Sequence, residues 1–473
     1  MSNFFNSSFR ALNQLSTSIV TNVVTVVLPQ ISSDLGITVS TLNWITIIFF
    51  MASISISIPL SKIISQKGVK KFTGVATVGL IIGLLISTFA VHTNMFLLSR
   101  IIQGCSCAIL YFSVYMMIVL EMPEEKTGRA LGIVGSSGYI GMTIAPSIAG
   151  FISYYLSWRG AFVFIVPLLI FQLFLIHRIE GEWTAEKRPI DAVGSLLYVG
   201  VIIFLVYGLS TIVQNGAIYL VVFGAVLIAY VLYERNRQYP IYNLKLLRSF
   251  KYVIGNYSSM VGYFVTFITA YILSLHLQLV MGVDSRTTGL LLLITPILMV
   301  FVSPFAGKLA DKHDPRVISA IAMIVINISM VIFVFLKDLP LYWIVVGIAL
   351  QSIGHGLFSS PNNRFVLTSV GVEDLPDASS FLASIKEIGK LLCTSIFNVI
   401  CVMYVGNMEV NNNISGLVQS SRLMMILCVA LSLSAIVLLF ASRLFFERDE
   451  NLEVLKLIRR YLPKRIVKWY EEA

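Results

Sequence analysis

Fourteen apolar stretches, each about long enough to cross a lipid bilayer, fill this chain almost from end to end. An α-helix rises about 1.5 Å per residue, so a run of roughly 20 apolar residues matches the hydrocarbon thickness of a membrane. The composition agrees with this pattern, because 57% of the 473 residues are hydrophobic, 12% are charged and the mean hydropathy is +0.86. Soluble globular proteins are not built in this way. The sequence therefore predicts an all-α, polytopic membrane protein.

Internal repetition divides the predicted spans into two halves. The loop after the second span begins at Ser61 and the similar loop after the tenth begins at Gly307, while Gln103 and Gln351 are separated by nearly the same offset. Such duplication is typical of transporters whose site lies between two bundles. Two further spans look like an insertion between the halves. We expect an N-terminal six-helix bundle at 1–178, two inserted helices with their linkers at 179–248, a C-terminal six-helix bundle at 249–445 and a tail at 446–473.

The lysines and arginines collect in alternate loops, which is the positive-inside pattern of multi-pass proteins of the plasma membrane. They crowd the loops near Lys70, Lys187, Arg248 and Lys312, and they crowd the tail. This placement predicts that both termini are cytoplasmic, and it explains the net charge of +10 without a nucleic-acid partner. The tail itself predicts a basic amphipathic helix on the inner leaflet, with docking to a partner protein as the alternative.

The loop after the tenth predicted span is a candidate gate. Gly307 allows helices to approach closely, and Asp311 can accept hydrogen bonds from the start of the next helix or from basic side chains such as Arg316. A charged clasp of this kind would hold one face of a transporter shut and break when the halves rock. The alternative is a short turn whose charges only anchor the loop at the membrane surface.

Ionisable side chains inside predicted spans are candidates for a transport site. Arg100 near mid-membrane is costly unless it is paired or hydrated, so a functional role is the first hypothesis and snorkelling to the outer surface is the alternative. Glu387 is the carboxylate placed deepest in a span, although Lys390 lies three residues away and could neutralise it. His355 could titrate in a useful range, but a single helical histidine more often serves packing.

Several motifs resemble those of the fourteen-helix drug/proton antiporter branch of the major facilitator superfamily, and the resemblance covers nearly the whole chain. The motifs are Arg100-Ile-Ile-Gln103-Gly104 in the fourth span, Gly141-Met-Thr-Ile-Ala-Pro146-Ser-Ile-Ala-Gly150 in the fifth, Ser157-Trp158-Arg159 before the sixth and Gly356-Leu-Phe-Ser-Ser-Pro361-Asn362-Asn363 in the twelfth.

This resemblance implies the major facilitator fold, with two six-helix bundles plus two inserted helices and a substrate site between the bundles. It also implies that Gly141, Pro146 and Gly150 seal the interface between the halves, whereas the small residues alone would predict simple helix packing equally well. The candidate substrate and ion pathway is Arg100, Gln103, Gln351, His355, Asn362, Asn363 and Glu387. The candidate gate and interface residues are Gly307, Asp311, Arg316, Gly141, Pro146 and Gly150.

The chain departs from the branch pattern in its first span. Members of the branch carry an aspartate there, but Val20 takes that position and no acid lies between Leu15 and Pro29. The first-half loop also has Ser61 and Ser65 where glycine and aspartate are expected. Because basic residues outnumber acids in the spans, we expect an anionic or neutral substrate rather than an organic cation.

These observations predict a secondary transporter, and not an enzyme, that exports a small amphiphilic compound by alternating access with the proton gradient as its driving force. The expected partners are the substrate, protons and membrane lipid, with no metal or other cofactor, and the expected oligomeric state is a monomer. Two alternatives remain open at this point. One is an uncoupled facilitator of the same fold, and the other is a membrane sensor or scaffold that transports nothing and signals through its tail.

Overall fold

The computed structural model describes residues 2–121, 124–179, 181–184, 191–235, 237, 242, 244–371, 374–406 and 413–461. Within these residues the regular elements are helices, as the hydropathy pattern predicts. The structure describes the backbone of Asp311 and of residues 443–461 but not their side chains. The amphipathic character predicted for the tail falls on such side chains and on residues beyond Tyr461, so it stays a prediction.

The N-terminal half contains six helical segments, and the sixth of them is broken in two. The helices are α1 (Ser2–Leu35), α2 (Val39–Lys67), α3 (Val69–Thr88), α4 (Thr93–Glu121), α5 (Glu124–Tyr155), α6 (Trp158–Val163) and α7 (Val166–Arg178). The break falls just before Pro167, which occupies the first turn of α7. Proline has no backbone N–H to donate, so it fits the first turn of a helix and disfavours continuation of the one before it.

The inserted pair forms a helical hairpin of α8 (Ala192–Ser210) and α9 (Ala217–Arg235). Asp191 begins α8, because its side chain accepts a hydrogen bond from the backbone N–H of Gly194 at 2.9 Å. Asn215 in the connecting turn has a φ of 74°, a left-handed conformation that asparagine tolerates better than most residues. The hairpin packs on α2 through α8, whereas α9 packs chiefly on α8.

The C-terminal half repeats the same plan, again with one broken segment. Its helices are α10 (Phe250–Leu275), α11 (Ser285–Leu292), α12 (Ile294–Lys312), α13 (Pro315–Val334), α14 (Leu341–Thr368), α15 (Leu375–Tyr404) and α16 (Ile414–Tyr461). A π-helical turn, His276–Val280, extends α10. The segments α11 and α12 follow each other closely enough to form one apolar stretch, Ser285–Ala310.

Among the described residues, 12 helical segments are long and apolar enough to cross a membrane. Two further helices, α5 with 32 residues and α15 with 30, are of similar length and pack inside the same bundles. The predicted total of fourteen spans needs both of these helices, and that total stays a prediction. Large apolar side chains on the outer surface are widely exposed, as a lipid-facing surface requires.

Alternating helix directions give the molecule two ends. We call one the distal end, formed by residues 36–38, 89–92, 156–157, 211–216, 281–284 and 335–340. The opposite, proximal end contains residues 68, 181–184, 313–314 and 369–371. Hydrogen bonds tie neighbouring loops at the distal end together, for example from Arg159 Nη2 to the carbonyl of Ala90 at 3.1 Å.

The two halves meet along two seams. At the α5 seam, α5 of the N-terminal half packs against α11 and α12 of the C-terminal half. At the α2 seam, α2 packs against α15, and α8 of the inserted pair contacts both of these helices. Further contacts join α1 to α10 and to α11, and Gln278 Nε2, in the π-helical turn after α10, donates to the carbonyl of Val26 at 3.0 Å. The hairpin therefore covers one seam, and the two bundles enclose the region between them.

Candidate functional site

A group of charged side chains on α15 faces the region between the two halves. Lys390 Nζ donates to Glu387 Oε1 at 2.6 Å, and Lys386 Nζ donates to Asn363 Oδ1 of α14 at 2.8 Å. The helical spacing brings Glu387 and Lys390 together, because residues three apart lie on one face. Their side chains keep 27% and 15% of their surface exposed, which is unusual for charges in the middle of a helical bundle. The charges therefore border an accessible space and not a sealed core.

Aromatic rings from both halves surround these ammonium groups. Lys390 Nζ lies 5.7 Å from the ring of Phe50 on α2 and 5.7 Å from the ring of Tyr263 on α10. Lys386 Nζ lies 5.2 Å from the same Tyr263 ring. A cation over an aromatic face is attracted by the ring quadrupole, and more strongly where water is scarce. Lys390 is thus placed between one ring of each half.

Two polar side chains complete the surroundings of these groups. The hydroxyl of Tyr111 on α4 lies near Ser18 of α1 and within the electrostatic reach of Glu387 and Lys390. On the other side, Nδ1 of His355 on α14 lies 2.8 Å from the hydroxyl oxygen of Thr266, its hydrogen-bond partner on α10. We call the whole set the central cluster, and its members are Phe50, Tyr111, Tyr263, His355, Asn363, Lys386, Glu387 and Lys390.

The charge balance of the central cluster is positive. Two ammonium groups, Lys386 and Lys390, face one carboxylate, Glu387. Since Lys390 already neutralises Glu387, the net charge left over resides on Lys386, whose bonded partner Asn363 is neutral. A bound anion would therefore replace lost hydration for an ammonium group, whereas a bound organic cation would meet repulsion. Within the described residues, no group of three or more His, Cys, Asp or Glu side chains is placed to bind a metal ion.

Arg100 and Gln103 lie apart from the central cluster, inside the N-terminal bundle. The Arg100 side chain is fully buried, donates to Gln103 Oε1 at 2.6 Å and stacks 4.3 Å from the ring of Phe49. Gln103 in turn donates to Ser87 Oγ at 2.8 Å and to the carbonyl of Gly83 at 3.0 Å. These bonds join α2, α3 and α4. The arginine does not snorkel to a surface, and its bonds brace three helices.

Gln351 and Asn362 lie inside the C-terminal bundle. Asn362 donates to the carbonyl of Gly255 at 2.9 Å and to Ser259 Oγ at 2.7 Å, both on α10. Gln351 Nε2 lies 3.5 Å from the carbonyl of Val265, also on α10. Of the seven pathway residues named from the sequence, the structure thus brings together His355, Asn363 and Glu387, and it places the other four in contacts within one half.

The motif of the fifth span lies where α5 meets its neighbours. Gly150 passes so close to α11 that a Cβ would stand 2.5 Å from the carbonyl oxygen of Ser285. Gly289 of α11 lies similarly close to α5, because a Cβ on Gly289 would stand 2.7 Å from the carbonyl oxygen of Pro146. Gly141 instead packs on α1 within the N-terminal half, with Leu15 O as its nearest neighbour. Two of the three predicted interface residues therefore form the α5 seam.

An arginine and two aromatic rings cover the distal end of the same seam. Arg286 of α11 donates to the hydroxyl of Tyr155 at 3.0 Å and stacks 4.8 Å from the ring of Phe151. Ser153 Oγ donates to Ser285 Oγ at 3.3 Å. These contacts join the two halves near residues 281–284, so the distal end is closed in this structure.

The predicted gate loop lies at the proximal end. Gly307 faces Ser360 of α14, and a Cβ on Gly307 would lie 3.3 Å from the serine hydroxyl oxygen. Asp314 caps α13 by accepting from the backbone N–H of Arg316 at 2.9 Å, and it forms an ion pair with that arginine at 2.8 Å. The capping role that the sequence suggested for Asp311 thus belongs to Asp314, while the Asp311 side chain itself lies outside the described residues.

Sequence reasoning missed the aromatic members of the central cluster. A tyrosine in mid-span carries a hydroxyl that must find a partner in a dry environment, so Tyr111 and Tyr263 could have been found from their positions alone. Phe50 gives no such signal, because a phenylalanine in an apolar span is ordinary. Only the packing of α2 against α15 brings its ring to Lys390.

Known proteins share both the sequence pattern and the fold. A family model described as Major Facilitator Superfamily matches residues 11–249 and 256–469. The chain is 24% identical over 384 residues to the riboflavin transporter RibZ of Clostridioides difficile, covering 80% of this chain and 83% of that protein. It is 26% identical over 309 residues to the fatty acid resistance protein FarB of Neisseria gonorrhoeae, covering 63% and 61% of the two chains.

Solved structures show the same fold at lower sequence identity. A bacterial homologue of the human lysosomal transporter Spinster, in an inward-facing and unoccupied conformation, superposes with a TM-score of 0.69 at 13% identity, covering 94% of this chain and 97% of the other. The shared architecture agrees with the family match, which extends over most of the described helices. The chain belongs to the Major Facilitator Superfamily.

Proposed function

We propose that this protein is a fourteen-span secondary transporter that exports a small, anionic amphiphile across the plasma membrane by alternating access. The observation that carries the proposal is the central cluster, in which Lys386 and Lys390 outnumber Glu387 and aromatic rings from both halves stand around them. The charged groups bind the head of the substrate, and Phe50, Tyr111 and Tyr263 bind its apolar part.

The relatives are compatible with a substrate of this chemistry. One is named as a riboflavin transporter and another as a fatty acid resistance protein. The first name describes a planar aromatic compound and the second a carboxylate with an apolar tail. Both kinds of molecule combine an apolar body with polar or anionic groups, which is the combination that the central cluster suits.

Alternating access follows from where the halves touch. The contacts of Arg286, Gly150 and Gly289 close the α5 seam near the distal end. Rocking of the halves would separate these contacts and expose the central cluster on the distal side. We assign the proximal end, with both termini, to the cytoplasm on the basis of the basic loops. In this assignment α5 and α15 also cross the membrane, and one monomer forms the complete pathway.

The proton gradient drives export through its electrical part in this proposal. An anion that moves out of a cell with a negative interior gains about 2.3 kcal/mol per elementary charge for each 100 mV. Glu387 is the carboxylate of the cluster that can carry a proton. A proton that left the cell with the anion would cancel this charge movement, so coupled export requires the proton to move inward in exchange for the anion. A facilitator without any coupling ion is the second candidate, and its flux would follow the membrane potential but not an imposed pH gradient.

The test is transport by the purified protein in liposomes. Labelled decanesulfonate, which is permanently anionic, is compared with decyltrimethylammonium, and the membrane potential and the pH gradient are imposed separately. We expect anion flux that is faster than cation flux and that follows both the membrane potential and the pH gradient, and a loss of most of this flux in Lys390→Gln. The matched control is Lys308→Gln, which removes the same charge from an exposed site on α12. Faster flux of the cation, or equal flux in both variants, would contradict the proposal.

A further inference from the structure

The inserted hairpin is attached to the N-terminal half through α8, which packs along α2. The ring of Tyr198, near the start of α8, is buried, and its centroid lies 6.2 Å from that of Tyr230 on α9. Nearer the distal end, the ring of Tyr207 packs against Trp44 of α2 with 5.9 Å between centroids. The packing of α8 on α2 and the contact between Tyr207 and Trp44 hold the hairpin against the N-terminal half.

The chain that leads into the hairpin is also attached to the N-terminal half. Glu182 accepts hydrogen bonds from the backbone N–H groups of Lys70 and Lys71 at 2.6 and 3.2 Å, which places a carboxylate at the start of α3. The backbone N–H of Val69 donates to the carbonyl of Trp183 at 3.0 Å. Glu182 thus supplies a negative charge to the α2–α3 turn, where Ser65 stands in place of the acid expected there.

The chain that leaves the hairpin is attached to the other half. The hydroxyl of Tyr242 donates to that of Tyr252 on α10 at 3.0 Å, and its ring stacks on Phe381 of α15 at 4.5 Å. The attachment therefore changes from one half to the other between α9 and Tyr242.

One buried chain of hydrogen bonds crosses the α2 seam near its distal end. Tyr271 of α10 donates to Asn43 of α2 at 2.7 Å, Asn43 Nδ2 donates to Asn398 of α15 at 3.2 Å, and Asn398 Nδ2 donates to the carbonyl of Ser210 at 3.1 Å. All four residues are buried. The last bond ties the end of α8 to the C-terminal half, and it must break if that half swings away from α2.

We infer that the inserted hairpin moves as part of the N-terminal bundle and that Asn398 is a tie which holds it to the C-terminal half only while the distal end is closed. The hairpin acts as a fixed wall of the α2 seam, because its contacts with α2 persist while the bond from Asn398 to Ser210 opens and closes. The Asn398 side chain serves two partners at once, so its two bonds with Asn43 and Ser210 are made and lost together. This inference uses the alternating-access movement proposed above, but it does not depend on the substrate.

Spin-label distances test which half the hairpin follows. Cysteines replace Val75 on α3, Val221 on α9 and Val437 on α16, whose side chains are 61%, 72% and 64% exposed. Each variant carries two of these cysteines, so that one distance is measured at a time. The five native cysteines are buried or half-buried, and labelling of the unaltered chain measures their background. Distances are compared with and without Gly150→Leu, which wedges the distal seam open because no side chain fits there.

We expect the distance from Val75 to Val437 to shift by several ångströms on opening, the distance from Val221 to Val437 to shift with it, and the distance from Val75 to Val221 to stay within its original distribution. A shift between Val75 and Val221 as large as that between Val75 and Val437 overturns the inference. These distances need no substrate, so a failure here is distinguishable from a failure of the proposed transport activity.

Labelling of the closed seam tests the tie itself. A cysteine at Ser153, which is 7% exposed at the distal end, should react faster with a maleimide when the seam opens. In nanodiscs, Asn398→Leu should raise this labelling rate about three- to tenfold, since one or two neutral hydrogen bonds are lost from the closed state alone. Ser57→Ala, which removes only the hydrogen bond from Ser57 Oγ to the carbonyl of Ile54 within α2, should leave the rate unchanged. Equal rates in Asn398→Leu and the parent, or an equal rise in Ser57→Ala, would overturn the role of Asn398.

Discussion

Two substitutions of similar shape should change anion binding in opposite directions. Glu387→Gln and Lys390→Gln each keep a polar side chain of nearly the original length, but they remove opposite charges from the central cluster. The first leaves two ammonium groups without a carboxylate, and the second leaves one ammonium opposite one carboxylate. Because the two groups are hydrogen-bonded at 2.6 Å, both changes act at the same place.

The expected size of the effect follows from Coulomb attraction reduced by solvent. A sulfonate about 4 Å from an ammonium group gains about 4 kcal/mol at an effective dielectric constant of 20. The side chains of Lys390 and Glu387 are 15% and 27% exposed, so water and salt lower this gain to about 1–1.5 kcal/mol. That amounts to roughly tenfold in the dissociation constant. Glu387→Gln should therefore tighten binding by up to tenfold, and Lys390→Gln should weaken it by about tenfold.

Thermal unfolding in lipid nanodiscs measures both variants against one scale, because a ligand stabilises the folded protein by RT ln(1 + [L]/Kd), where [L] is the free ligand concentration. Decanesulfonate is titrated, and decyltrimethylammonium, with the same alkyl chain and the opposite charge, is the control. Without ligand, Glu387→Gln should unfold at a lower temperature, because Lys386 and Lys390 then repel each other. Identical anion titrations for the two variants, or stronger stabilisation of Glu387→Gln by the cation, would refute the reasoning.

Three further substitutions test separate parts of the structure. Gly150→Leu should abolish closure of the distal seam and reduce transport at least tenfold, because its Cβ would lie 2.5 Å from a carbonyl oxygen, whereas Gly135→Leu, with no atom within 4 Å, should transport normally. Gln172→Leu should destabilise the N-terminal bundle by about 1–3 kcal/mol in thermal unfolding, since this buried amide serves three polar partners there. Asp284→Ala should cost about 1 kcal/mol by loss of the α11 cap. Hydrogen bonds from the backbone and side chain of Thr287 hold the pKa of the Asp284 carboxyl below its ordinary value of 3.8. The stabilisation by ionised Asp284 is therefore complete above pH 3.8 and is lost as the pH falls through the lowered pKa. In a pH series of unfolding temperatures, Asp284→Ala should lack this loss.

Much of the helical architecture could be predicted from hydropathy, because each helix in lipid satisfies its own backbone hydrogen bonds. The breaks at Pro167 and near Leu293 were not predicted, since a short interruption hardly changes the mean hydropathy of a span. The pairing of Glu387 with Lys390 was predictable from helix spacing, because it needs no tertiary information.

The remaining site residues illustrate where such reasoning ends. Arg100 carries a charge in mid-span, which made it a candidate, but its bonds to Gln103 and the ring of Phe49 keep it within one bundle. Asn43 and Asn398 attracted no attention in the sequence, although they join the two halves. A polar residue in a span signals that a partner exists, but the identity of that partner depends on how the helices are rotated and paired.

By itself, the sequence determined that the chain is a helical membrane protein with two related halves and an insertion, because hydrophobic length and repeat spacing are properties of one segment at a time. Only the tertiary structure decided which polar residues meet. It placed Phe50 and Tyr263 on either side of Lys390, kept Arg100 inside one bundle, and packed the inserted hairpin on α2. The physical reason is that contacts between helices depend on how distant segments rotate and cross. Small residues and close packing determine that geometry, and no local pattern in the chain records it.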